Sequence, residues 1–248
     1  MEPFYFDERK LLGLYHPAAG LAKNIGVLIC PPILGEYMRT HSCLRQLAIE
    51  LAALGHHVLR FDYSGTGDSG GNIQAASVSG WLDEVCAASG ELQAIAGVEK
   101  LAVVGVRFGA ALAASAANDC PAITRLVLWD PVDDGSLYLR GVIETYEALI
   151  ESHEYLAAED LEDARSVTTG YALANSLLQG IAAFRFSDQG VTGARLSVLL
   201  TDKAVFDSGL WQGRTANCRL FEHECNWTTF SESVIFGGAL VKELAQQV

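Results

Sequence analysis

Short apolar runs alternate with amphipathic stretches over most of the chain, and the spacing predicts strands and helices in turn. FYF at residues 4–6 and LLGLY at 11–15 read as two short strands joined by the charged turn DERK. The run NIGVLIC at 24–30 is apolar enough for a buried strand, and Pro31 with Pro32 ends it because proline has no N–H to give a ladder. From Met38 to Leu54, apolar residues recur at helical spacing, including Leu44, Leu47, Ala48 and Leu51, until Gly55 stops the helix. A strand, HHVLRFD, then leads into the glycine-rich loop DYSGTGDSGG at 62–71. A helix around Trp81 to Ile95, the strand LAVVGV at 101–106, an alanine-rich helix from Phe108 and the strand within ITRLVLWDP at 123–131 continue the alternation.

The rhythm breaks after Pro131. Eight acids lie between Glu144 and Arg165, yet Tyr146, Leu149, Ile150, His153, Leu156 and Ala157 supply a less polar face, which predicts an acidic amphipathic helix. YALANSLLQGIAAFRF at 171–186 is expected to pair with it. ARLSVLLTD at 194–202 and ANCRLFEH at 216–223 restore the strand pattern, and a helix from about Glu232 to Ala245 closes it. The fold class is therefore α/β: a mostly parallel central sheet covered on both faces, one domain over 1–248, with a helical cap inserted at about 135–190.

Charge narrows the functions. Lys and Arg number 17 against 30 Asp and Glu, a formal net charge of −13, which disfavours nucleic acid and anionic membrane surfaces as partners. The first twenty residues lack the apolar core of a signal peptide, and no run of 18 apolar residues follows, so a soluble cytoplasmic protein is expected. Six cysteines form no paired CxxC motifs and six histidines are scattered, so no metal is expected. The 62–71 loop lacks both the Walker ending and GxGxxG, which leaves no nucleotide cofactor to expect.

The chemistry concentrates at Gly105-Val106-Arg107-Phe108-Gly109, between a strand and a small-residue helix. That context is a nucleophile elbow, where GxSxG presents a serine hydroxyl on a sharp turn. Arg107 holds the central position, and a guanidinium cannot form an acyl-enzyme. Two roles remain for it: gripping a carboxylate or phosphate, or a buried ion pair with Asp202 or Asp130. Asp202 is the candidate acid of a Ser, Asp, His order, Asp130 the alternate acid, and His223 the candidate base. Backbone N–H groups of Ile33, Leu34 and Phe108 are candidate carbonyl binders beside Arg107. Glu36 is expected either to anchor its loop to Arg39, Arg45 or Arg107 or to act as a general base, Tyr37 to line the entrance or simply to pack, and Ser64 and Ser69, nucleophiles by chemistry but away from the elbow, to cap turns.

The chain resembles the α/β-hydrolases, especially the hydrolase-like proteins of bacterial exosortase and exopolysaccharide gene systems. The resemblance rests on Pro31-Pro32, Glu36 with Met38 and Arg39, RFDYSGTGDSGG at 60–71, Trp81 to Asp83 and GVRFGA at 105–110. It covers residues 24–130 and includes GxRxG in place of GxSxG. NWTTFSE at 226–232 resembles the subgroup's segment where other hydrolases place the catalytic histidine, which would put Asn226 and Trp227 near the base position. The resemblance implies a hydrolase-like protein without the standard serine mechanism that binds a small acyl, carboxylated or sugar-linked molecule. Two alternatives stand beside it: an ester or thioester hydrolase of atypical mechanism, and a noncatalytic accessory protein whose acidic cap docks a basic protein.

Overall fold

The computed structural model describes residues 1–248 except 9, 153–170, 187–193, 216, 228–234 and 236. Eight strands form one sheet: β1 (Glu2–Phe6), β2 (Leu11–His16), β3 (Ile25–Cys30), β4 (Val58–Phe61), β5 (Lys100–Val106), β6 (Ile123–Trp129), β7 (Arg195–Leu200) and β8 (Cys218–Leu220). Their order is β1-β2-β4-β3-β5-β6-β7-β8. The two N-terminal strands pair antiparallel, and every pairing from β4 to β8 is parallel. The helices are α1 (Gly35–Ala53), α2 (Val78–Ala96), α3 (Phe108–Ala116), α4 (Gly135–Ser152), α5 (Asn175–Ala183), α6 (Lys203–Asp207) and α7 (Gly238–Gln247).

Side-chain alternation explains why both faces are covered. Along β3, Val27 and Ile29 join one buried cluster with Leu44, Leu47 and Leu240, from α1 and α7. Leu28 and Cys30 join the other, with Trp81 and Leu112 from α2 and α3. Each such large apolar side chain contributes roughly 1.5–3 kcal/mol by leaving water. Both faces need apolar residues, so the central strands read as continuous apolar runs.

Local signals set the helix ends. The Ser77 hydroxyl accepts from Gly80 N at 3.0 Å to start α2, and Gly97, at φ 65°, ends it. A Cβ at Gly105 would lie 2.5 Å from Ala110 Cα, and one at Gly109 would collide with the Pro31 carbonyl oxygen. These two glycines let α3 sit directly on the sheet. A disulfide joins Cys86 of α2 to Cys120 beyond α3; the sequence spacing gave no hint of that pairing.

The cap follows β6: α4 packs on α5, and Asp134, just before α4, bridges Arg185, just after α5. The acidic helix expected over 144–165 is present as far as Ser152, and its remainder lies outside the described residues. The closing helix begins after Gly237 and runs past Ala245 to Gln247. No helix among the described residues is long and apolar enough to cross a membrane.

Where β2 meets β4, His16 is 4% exposed with its Nε2 unpartnered. Burial, with the facing charges of Arg60, the N-terminal amine and Arg45, drives its imidazole down from 6.5 to about 4. The unfolded chain therefore takes up a proton near pH 6.5 that the folded chain refuses, and stability falls as pH drops from about 6.5 toward 4. Full passage through that window removes about 3 kcal/mol. Urea midpoints at several pH values should show a flatter dependence in His16→Gln than in the parent; parallel curves would assign the proton uptake elsewhere.

Candidate functional site

The carboxyl ends of β3, β5, β6 and β7 converge on one site, the usual place for a ligand crevice in a parallel sheet. Arg107 sits between β5 and α3 at φ 53°, ψ −120°, a conformation that costs a non-glycine residue on the order of 1–3 kcal/mol. The surroundings impose it: Arg107 N donates to Trp129 O at 3.0 Å, and Arg107 O accepts from Ala110 N and Val132 N. This is the strained strand-to-helix elbow that the Gly105-to-Gly109 pattern predicts.

The guanidinium turns into the protein. Nε donates to Glu36 Oε1 at 2.9 Å and Nη1 to the Asp130 carbonyl at 3.2 Å, while Cζ lies 5.0 Å from the Trp227 ring centre and 5.7 Å from that of Tyr138. Glu36, in the first turn of α1, also accepts from the Tyr138 hydroxyl of α4 at 3.2 Å. Burial opposes the charged guanidinium, but Glu36, Tyr138 and Asp130 together outweigh it and hold Arg107 above the ordinary arginine range. Burial raises the Glu36 carboxyl above the usual carboxylate range, and Arg107 and the Tyr138 hydroxyl pull it partly back. Of the anchors expected for Glu36, the structure selects Arg107. The expected partners of Arg107 need correction: its ion pair is with Glu36, Asp130 supplies only a backbone carbonyl as hydrogen-bond acceptor, and Asp202 caps a helix start and makes no ion pair with Arg107.

Asp130, at φ 42° after β6, is buried and saturated with donors. Its Oδ1 accepts from Thr201 N at 2.7 Å, and its Oδ2 accepts from the Thr201 hydroxyl and from Trp227 Nε1, the latter at 2.7 Å. In a serine hydrolase, a buried acid accepts the N–H of the catalytic histidine. Here an indole makes that bond, and an indole nitrogen is a donor only. Arg107, Trp227 and Asp130 thus stand in contact as the three members of a relay would, with a guanidinium at the elbow and an indole bonded to the acid.

The other candidates are placed as follows. Asp202 caps α6 through Oδ1, which accepts from Ala204 N at 2.7 Å and Val205 N at 3.4 Å, and the residue is exposed at the border of the cleft. His223 borders the cleft with its Nδ1 3.5 Å from Cys225 Sγ. Ile33, Leu34 and Phe108 are buried, and of the four expected ligand contacts only Arg107 borders the described cleft. Ser69 bonds Asp62 O and Leu12 N, and Ser64 N is held by Glu84, so both serve the turn away from the elbow. Tyr37 donates to Asp62 at 2.7 Å and does not line this cleft.

The cleft itself encloses about 590 Å³ between the elbow, α4 and the loops after β7 and β8. Thr201, Tyr138 and Trp211, which shape it, carry no signal in the sequence that singles them out. Among the described residues, no group of three His, Cys, Asp or Glu side chains is arranged to hold a metal ion.

A family model described as serine aminopeptidase, S33, matches residues 36–165. The chain belongs to that family. It is an α/β-hydrolase in fold. Over 65 residues, 25% of this S33-family chain, it is 37% identical to palmitoyl-protein thioesterase ABHD10, mitochondrial, of Bos taurus, a match spanning about a fifth of that relative. Among solved structures, the hypothetical protein PA2218 of Pseudomonas aeruginosa superposes at a TM-score of 0.63 with 14% identity, over 100% of this chain and 92% of that one. The bottromycin epimerase BotH, in complex with bottromycin A2, gives 0.58 and 16%, over 99% and 95%. These two likenesses establish the fold.

Proposed function

We propose that this S33-family chain is a hydrolase-like binding protein without the acyl-serine step, holding a small acyl or sugar-linked molecule in its cleft. The bacterial exopolysaccharide or protein-sorting setting belongs to the same proposal, supported by GxRxG together with RFDYSGTGDSGG. The observation that carries the reading is the Arg107–Glu36 ion pair at the elbow: the position that would attack a carbonyl holds a neutralised cation. That pair also weighs against a carboxylated ligand anchored on Arg107. BotH, a bottromycin epimerase, supports the view that this fold is not confined to hydrolysis.

A second reading, ester or thioester hydrolysis of atypical mechanism, draws support from the partial likeness to a thioesterase. Its best nucleophile is Cys225 beside His223, and burial pushes that thiol up to about 12, which leaves almost no thiolate at neutral pH.

Two measurements on one preparation test the proposal. Octyl glucoside should change the fluorescence of the cleft tryptophans saturably, while p-nitrophenyl esters should turn over at the buffer rate. Arg107→Ser should also remain at background, because Trp227 cannot accept the serine proton. Turnover lost on substitution of Cys225 or His223 would favour the second reading, and absence of saturable binding would remove the first.

A further inference from the structure

The charges around the cleft carry the reading one step further, to the class of molecule it takes. Its side chains divide into cancelled and uncancelled groups. Arg107 is neutralised by Glu36, Asp133 is paired with Arg214, and Asp134 with Arg185 at 3.2 Å. Lys203, adjacent to the cleft, turns away to Asp207 at 3.0 Å. Asp202 and Glu224 border the cleft from the loops after β7 and β8, exposed and without an ion-pair partner among the described residues. Asp130 adds a third carboxylate at the floor, held by neutral donors.

Apolar side chains stand beside these acids. Leu137 of α4 is 59% exposed, Val205 of α6 40% and Leu210 41%, and all three border the cleft. Large apolar groups left in water around a concave surface mark a place where apolar ligand surface is buried. Resting on the cleft-binding reading, we infer that the preferred ligand is a cationic amphiphile, an alkyl or acyl chain bearing an amine or quaternary ammonium group, and that anionic amphiphiles of the same length are rejected. The chain lies against Leu137, Val205 and Leu210, and its cationic group lies between Asp202 and Glu224. An incoming carboxylate meets those two carboxylates and finds the Arg107 charge already spent on Glu36. The overall charge of −13 acts in the same direction on approach.

Titration calorimetry with three eight-carbon probes below their micelle concentrations tests the inference: octyltrimethylammonium, octanoate and octyl glucoside. The ammonium probe should bind at least about ten-fold more tightly than octanoate, a preference that shrinks in 0.5 M salt. Asp202→Asn with Glu224→Gln should bring the ratio to within about two-fold, while the distant exposed Asp119→Asn leaves it as in the parent. Octanoate binding as tightly as the ammonium probe, or a ratio untouched by the double variant, overturns the charge selectivity while the cleft-binding reading stands. Failure of all three probes to bind overturns both.

Discussion

Arg107→Ala is expected to lower stability by about 3–5 kcal/mol, because it leaves Glu36 buried without its ion-pair partner, bonded to the Tyr138 hydroxyl. In a chain of this size that is a fall in melting temperature on the order of 10 °C. Glu36→Ala should cost a similar amount from the other side, stranding a guanidinium whose side chain is 18% exposed. The double replacement Arg107→Ala with Glu36→Ala should cost far less than the two single losses together, since it removes both charges at once. Calorimetric melting of the four proteins measures the coupling. Additive losses would mean that the two residues act separately and that the elbow is not held by their pair. The contact with Tyr138 extends the effect to the cap: Tyr138→Phe should loosen α4 in hydrogen exchange while leaving the sheet protected.

The second large effect is expected at Asp130. Asp130→Ala takes the acceptor from Thr201 N–H, the Thr201 hydroxyl and Trp227 Nε1 together, at a cost of about 3–5 kcal/mol when buried donors lose their partner. Trp227→Phe keeps a ring against Arg107 and against Trp129, 5.5 Å away, but removes one donor, and should cost about 1–3 kcal/mol. Denaturant titrations of both and of the double variant should show the combined loss falling short of the sum. An Asp130→Ala protein as stable as the parent would deny the carboxylate its role in holding β6, Thr201 and Trp227 together.

The two layers of the molecule differ in how far the chain order reveals them. The sheet was legible because burial on both faces writes itself as unbroken apolar runs such as VLIC and AVVGV, bounded by proline, glycine and polar loops. The elbow was legible for the same reason: Gly105 and Gly109 are required by contacts that tolerate no Cβ. Side-chain pairing was not. Glu36 and Arg107 are 71 residues apart, and Asp130 and Trp227 are 97 apart. Which of several nearby arginines a carboxylate selects depends on how the fold brings the start of α1 to the end of β5, which no local pattern specifies. Asp202 shows the opposite failure. Its position after a strand suggested a relay acid, yet an Asp directly before a short helix is also an N-cap, and the backbone N–H groups of α6 claimed it. Trp227 became visible only through resemblance of the surrounding segment, because indole donation to a buried acid needs the acid's location first.

Covalent labelling tests the central claim most directly, that Arg107 and Trp227 occupy the places of nucleophile and base and leave no acyl-transfer step. The parent protein is incubated with a serine-directed fluorophosphonate, then weighed intact and mapped by peptide. The expected result is unmodified mass, with no adduct on any serine, Ser64 and Ser69 included. One adduct per chain on a single serine, forming in step with the loss of a reproducible esterase activity, would contradict it.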